Sequence, residues 1–372
     1  MKKLLLSAVA ALPLLAVAQP AQAERPGEKI AGSYICVFKD GAVSRGSAQA
    51  EANRSAQAAG AQLKHVYSVA LRGFAVNASE QGVENMKANN PNIAYCEQDQ
   101  VVTTGQFQPF AGAGGGVTVQ AAQETPWGIA RVGGGAAGTF ATAWVIDTGI
   151  DLTHPDLNVD TARSRSFIRD SSPMDQNGHG THVAGTIAAM DNAIGVIGVA
   201  PGAKVVSVRV LDRRGSGSNS GVIAGVDYVA QNGRPGDVAN MSLGGGVSTA
   251  LDQAVVNAAA GGVRFALAAG NESDHANNHS PARANGPNVF TVSAFAVGDK
   301  WASYSNYGNP PIDFAEPGSA IKSTWLNGGY NTISGTSMAT PHLAGLLLAG
   351  GPRLGGNVVG DPDGNPDPIG VK

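Results

Sequence analysis

Residues 145–150 read VIDTGI, residues 177–186 NGHGTHVAGT and residues 334–342 SGTSMATPH. Each sets one residue of nucleophile chemistry, Asp147, His179 and Ser337, in a glycine-containing frame. Attack by a hydroxyl near neutral pH needs a serine, an imidazole to take its proton, and a buried carboxylate to orient that imidazole and stabilise its cation. Alone, each residue reads as a turn residue or a helix cap. Together they supply the whole set. The same three groups recur on unrelated folds in different chain orders, so the order Asp, His, Ser discriminates between folds.

Outward from these stretches, the chain from Trp127 alternates apolar runs with helical ones. ATAWVIDT (141–148), AKVVSVRVL (203–211), DVANMSL (237–243), GVRFALAAG (262–270) and NVFTVSAF (288–295) are nearly continuous in apolar residues, as strands covered on both faces must be. HVAGTIAAM (182–190), SGVIAGVDYVAQ (220–231) and TALDQAVVNAAA (249–260) between them carry helical periodicity. The expected architecture is α/β, a parallel sheet flanked by helices, with its chemistry at the carboxyl ends of the strands. Asp147 and Asn271 fall at such ends, and His179 and Ser337 each open a predicted helix. Unpaired N–H groups at the start of the Ser337 helix would face negative charge developing beside the serine. Pro341 is expected in that helix's first turn, where proline is tolerated. His154 and His182 fit no zinc pattern and read as structural histidines.

With RFALAAGN (264–271), these long motifs make the sequence similar to the subtilisin-type serine proteases, the subtilases, nearer the proteinase K branch in several stretches. The resemblance covers roughly Thr125 to Leu348. It implies a secreted endopeptidase of broad specificity acting on polypeptides through an acyl-enzyme, with Asp147, His179 and Ser337 as triad and Asn271 as oxyanion donor. It further implies that Gly215-Ser216-Gly217 and Ser242-Leu243-Gly244 sandwich an extended peptide by main-chain pairing. Ala268-Ala269-Gly270 resembles one wall of the first specificity pocket. Glu272 and Asp274, just beyond, either favour a basic residue before the cut or form a solvated loop. SPARANGPNVFTV (280–292) and NYGNPPIDFAEPG (306–318) look like the family's strong calcium site, implying Ca²⁺ held by Pro287, Val289 and Asp313. The competing reading is loop punctuation at Pro287 and Pro311 with Asp313 as a strand-end cap. Turns explain the acidic stretch GDPDGNPDP (360–368) better than an EF-hand, whose glycine falls later than Gly364.

Upstream, Met1-Lys2-Lys3, an apolar run from Leu4 to Ala18 and Ala21-Gln22-Ala23 read as a signal peptide over 1–23. GQFQPFAGAGGGVTVQAAQE (105–124) has linker composition and is the expected place of maturation cleavage before a peptidase unit at 125–372. Between lies a small α+β unit, 24–104. Its runs at 33–40, 47–60, 63–69, 71–79, 79–89 and 92–102 read βαββαβ, the ferredoxin-like order. This region resembles the subtilase propeptide, which in that family assists folding and then inhibits its own protease. Cys36 and Cys96 fall on its first and last strands, neighbours in such a sheet. A disulfide there would close a loop of about 60 residues and restrict the unfolded chain by roughly 4 kcal/mol; two buried thiols are the alternative.

A net charge of −3, 14% charged residues and no Lys/Arg cluster give no footprint for nucleic acid or an anionic membrane. A monomer is expected. The 51 glycines are too many for a helical bundle and suit tight turns and backbone laid open to a substrate. Residues 349–372, AGGPRLGGNVVGDPDGNPDPIGVK, lack the amphipathic helices that usually finish a subtilase domain. Either short strands cover that face of the sheet or a partner does. A lipase or esterase would need a G-x-S-x-G elbow, whereas Ser337 sits in G-T-S-M-A.

Overall fold

The computed structural model describes residues 25–105, 108–109, 122–170 and 172–372. The leader read at 1–23 and most of the linker at 105–124 lie outside the described residues.

The leading unit runs β1 (Lys29–Phe38), α1 (Ala48–Ala58), β2 (Gln62–Tyr67), β3 (Gly73–Asn77), α2 (Glu80–Asn89) and β4 (Ile93–Thr103), in the expected βαββαβ order. Its strands pair antiparallel as β4-β1-β3-β2. Alternate residues Cys36, Phe38, Phe74 and Val76 meet Ala48, Ala52 and Ala56 of α1. Alanines four apart share one helix face and let α1 sit close on the sheet. Ser79 caps α2 by accepting the Gly82 N–H at 3.1 Å. The β1–β4 register sets Cys36 opposite Cys96, and the two sulfurs are joined.

The larger unit follows β5 (Gln108–Pro109) and α3 (Trp127–Arg131). It continues through β6 (Ala143–Asp147), β7 (Arg165–Ser166), α4 (His179–Ala188), β8 (Val205–Arg209), β9 (Ser216–Ser218) and α5 (Asn219–Asn232). Then come β10 (Val238–Met241), β11 (Gly244–Gly245), α6 (Thr249–Ala259), β12 (Arg264–Ala268), β13 (Val289–Ala296), β14 (Lys300–Trp301) and β15 (Ile312–Pro317). Last are β16 (Ile321–Trp325), β17 (Gly329–Ser334), α7 (Thr336–Leu348), β18 (Arg353–Asn357) and β19 (Pro368–Val371). The main sheet has the order β18-β19-β15-β13-β12-β10-β6-β8-β7 and is parallel from β19 to β7. One face packs on α5 and α6, the other on α4 and α7.

Residues 349–372 fold back as short strands, the first of the two alternatives. β18 and β19 form a hairpin, β19 joins β15 in parallel, and Ile369 packs with Phe295, Ala315 and Val358. The expectation for Pro341 is corrected. α7 starts at Thr336, so Pro341 lies in its second turn. A proline there has no N–H for the carbonyl four residues back, that of Ser337, which must find another donor.

Candidate active site

Strand alternation fixes where Asp147 points. Trp144 and Ile146 of β6 join the core under α5 and α6, while Ala143 and Val145 join the core under α4 and α7. By the two-residue period Asp147 projects toward α4. The first residue of α4 is His179, whose Nδ1 lies 2.8 Å from Asp147 Oδ1 and 3.0 Å from Oδ2, both side chains fully buried. A carboxylate only accepts, so the proton between them sits on Nδ1, the tautomer in which Nε2 carries the lone pair.

A residue that sequence reasoning missed organises this turn. Buried Asp175 accepts from the Thr148 hydroxyl at 2.9 Å and the Asn177 and Gly178 N–H groups at 2.9 and 3.0 Å. Its other oxygen takes the Thr181 N–H and hydroxyl at 3.0 and 2.7 Å. It thereby ties the loop after Asp147 to the first turn of α4. Its signal is visible afterwards in D-x-N-G-H, an acidic side chain placed to hydrogen-bond its own turn. Gly178 has φ +107°, and a Cβ there would run into the Trp325 ring. Only glycine serves.

Ser337 is the second residue of α7, its Oγ 3.3 Å from the Ser242 carbonyl and 3.4 Å from the Thr104 carbonyl. Asn271, just past β12, accepts the Thr336 N–H at 2.8 Å and the Thr336 hydroxyl at 3.0 Å through Oδ1. Only an amide oxygen accepts from a backbone N–H, so the Asn271 amide is oriented with Nδ2 to the other side. That side is the chain at Gly105, where a Cβ would lie 3.1 Å from Nδ2. The amide donor and the helix N-terminus therefore converge beside Ser337.

The segments expected to sandwich a substrate are occupied by the leading unit. β4 runs antiparallel between β9 and β11, with Val102 opposite Gly217 and Gly245, and Thr103 opposite Ser216 and Gly244. The Thr104 N–H continues the ladder to the Gly215 carbonyl at 3.0 Å. A Cβ at Gly217 would meet the Val210 carbonyl, so glycine admits the close approach. Ala268, Ala269 and Gly270 line a pocket beside Gly105, shared with Leu243, Glu272 and His279. Beyond the site, β5 pairs with β17.

Carboxylates lock the two units together across this seam. Asp99 of β4 accepts the Ser220 N–H at 3.0 Å in the first turn of α5, and Glu97 accepts the Ala250 N–H at 3.3 Å in that of α6. Helix N-termini favour negative charge. Asp227 of α5 in turn accepts the Val69 and Ala70 N–H groups at 2.7 and 2.8 Å.

The remaining expected residues sit apart from this centre. Asp313 of β15 accepts the Thr291 N–H at 2.9 Å, and burial pushes its carboxyl up to about 6. Pro287 and Val289 precede it across the β13–β15 pairing, Val289 opening β13. Among the described residues no three His, Cys, Asp or Glu side chains gather as a metal cluster. His182 is buried with Nε2 2.9 Å from the Ile321 carbonyl, and burial lowers its pKa to about 3. His154 Nε2 lies 3.0 Å from the Gly329 carbonyl.

Residues 143–349 match the model of the subtilase family, and residues 33–105 that of the peptidase inhibitor I9. The chain is 41% identical over 376 residues to an extracellular serine proteinase of Thermus sp. (strain Rt41A), covering 92% of this chain and 86% of that one. It is 37% identical to Proteinase R of Parengyodontium album, covering 87% and 80%. It is 40% identical to alkaline serine exoprotease A of Vibrio alginolyticus over 85% of its own length, but spans 60% of that protein. Among solved structures, a cold adapted subtilisin-like serine proteinase superposes with TM-score 0.57 at 44% identity, covering 65% of this chain and 96% of that one. The chain belongs to the subtilase family. It is a subtilisin-like serine protease joined to an I9-type inhibitor propeptide, the organisation of a zymogen.

Proposed function

We propose that Ser337 Oγ attacks the scissile carbonyl while His179 Nε2 takes its proton and Asp147 holds the imidazole tautomer. The developing oxyanion is met by the Asn271 amide and the Ser337 N–H; the amine leaves with the proton from His179, and water releases the acyl-enzyme. Substrate pairs through its backbone with Gly215-Ser216-Gly217 and Ser242-Leu243-Gly244, and its residue before the cut sits against Ala268-Ala269-Gly270. Backbone recognition makes the enzyme an endopeptidase of broad specificity. What supports this most is one observation: β4, a peptide strand of the chain itself, lies between those segments and leads directly into Thr104 and Gly105 beside Ser337 and Asn271.

The chain is read as leader 1–23, inhibitory propeptide 24–104, linker 105–124 and peptidase 125–372, secreted and acting as a monomer. Cleavage falls after Gly105, because the Thr104 side chain is turned toward Gly215 while Gly105 faces Asn271. The Cys36–Cys96 bridge steadies β4, the strand that blocks the cleft. Ca²⁺ is held by the Pro287 and Val289 carbonyls and the Asp313 carboxylate. The donors fit, being hard oxygens on a loop and a strand with one carboxyl that burial disfavours in ionised form until a cation compensates it. The ion's role there is structural. Casein incubated with the purified protein tests the enzymatic reading: a serine-directed phosphonate abolishes cleavage, and cleavage that survives the reagent overturns it.

A further inference from the structure

The pocket beside Gly105 carries an ionisable group that broad apolar recognition does not need. His279 lines it together with Glu272, and its side chain is 19% exposed. His279 Nε2 lies 3.2 Å from Asp274 Oδ2 and 3.9 Å from Glu272 Oε2, so the imidazole stands between two carboxylates. The Glu272 side chain and the backbones around the pocket are held in place. The buried Asn306 amide takes the Glu272 and Asp274 N–H groups at 3.0 and 2.9 Å and donates to Glu272 Oε2 at 2.7 Å. On the other side, the Gly245 N–H bonds the Ser280 carbonyl and the Ser248 N–H the Ser280 hydroxyl, both at 3.0 Å, pinning the residue after His279 to the substrate strand.

We infer that His279 sets the charge of this pocket, so that the preference between a cationic and an apolar residue before the scissile bond changes with pH. The inference rests on the assignment of Ala268-Ala269-Gly270 to that pocket. With His279 neutral, Glu272 lines the pocket as a negative charge facing the tip of a lysine or arginine, with the Asp274 carboxylate behind the imidazole. With His279 protonated, one charge is cancelled and a like charge faces the same tip. The chain's own strand presents Gly105 here, with no side chain to compete for the pocket. The other charged groups on the packed elements are Arg283, ion-paired to Asp252 at 3.3 Å, and His275, whose ring lies against Tyr307. Burial raises the Asp252 carboxyl to about 6, so its own titration must be separated from any change at His279 by mutation.

The test uses enzyme matured from the full chain and two peptides differing only in Lys or Phe before the cut. The kcat/KM ratio, Lys over Phe, is followed from about pH 5.5 to 8.5, where histidine changes charge. Titration of the triad affects both peptides and cancels in the ratio. The ratio is expected to rise about tenfold with pH, the order of one unit charge acting through a partly screened site. His279→Gln flattens that rise, and Glu272→Gln lowers the ratio across the range while keeping its slope. A flat ratio in the unmodified enzyme, or an unchanged slope in His279→Gln, overturns the inference. Failure to cleave either peptide at any pH is a different result: it refutes the proteolytic reading and removes this one with it.

Discussion

The Ser242 hydroxyl donates to the Ser337 carbonyl at 2.9 Å, supplying the hydrogen bond that Pro341 withholds from α7. A residue of the proposed substrate strand thus completes the helix that carries Ser337. Ser242→Ala leaves that buried carbonyl unpaired, a cost of about 1–3 kcal/mol. At roughly 2–4 °C per kcal/mol for a domain of this size, calorimetry should record a lower Tm. An unchanged Tm would show that the helix tolerates the unpaired carbonyl.

Asn271 fixes Thr336 through Oδ1 and turns Nδ2 toward Gly105, the side on which the proposed oxyanion would develop. Asn271→Ala should lower kcat ~10²–10³-fold, a magnitude that comes from subtilisin itself and is therefore the family's number. KM should change much less, since the donor acts on charge that develops in the transition state. Full activity in the variant would remove Asn271 from the oxyanion role.

At the proposed calcium site, Asp313 would link ion binding to pH. Its folded-state carboxyl is raised to about 6 by burial, so without a cation its contribution to stability is whole below the ordinary aspartate range and falls as pH rises through about 6. Calcium needs the ionised form, so the Tm gained on adding Ca²⁺ should be larger at about pH 8 than at about pH 5. Chelation should reverse the gain, and Asp313→Asn should lose most of it. A gain independent of pH and of Asp313 would place the ion elsewhere.

Glu316 of β15 is fully buried against the C-terminal strand, where a Cβ on Gly370 would meet its carboxylate. Burial pushes its pKa well above the usual glutamate value, outweighing the opposing field of Arg131. Its stabilising contribution is therefore complete below the ordinary carboxylate range and is lost as pH climbs toward the folded-state value. The Tm difference between Glu316→Gln and the unmodified protein should move in the variant's favour from about pH 5 to pH 8. A difference constant with pH would mean the carboxyl stays compensated.

The sheet, the helices and the placement of four residues on them were legible because each is announced locally: continuous apolar runs end at Asp147 and Asn271, and glycine-framed turns open the helices of His179 and Ser337. Asp175 escaped because an acid in a turn looks like any other Asx residue until its five hydrogen bonds converge. Pro341 was placed a turn too early because a helix start cannot be fixed to one residue without seeing which carbonyls lack donors. The strands of residues 349–372 are rich in glycine and carry no periodic signal; Ile369 earns its place only by landing beside Phe295 and Ala315. The filling of the cleft by β4 is a long-range pairing that no local pattern encodes.

The central claim is that Ser337 cuts the strand that its own chain lays across it. Full-length Ser337→Ala, purified beside the unmodified protein and weighed intact by mass spectrometry, tests this directly. The unmodified protein should separate into two fragments at the end of the leading unit, after Gly105, while the variant should remain a single uncut chain. Equal processing of the purified variant would contradict the account.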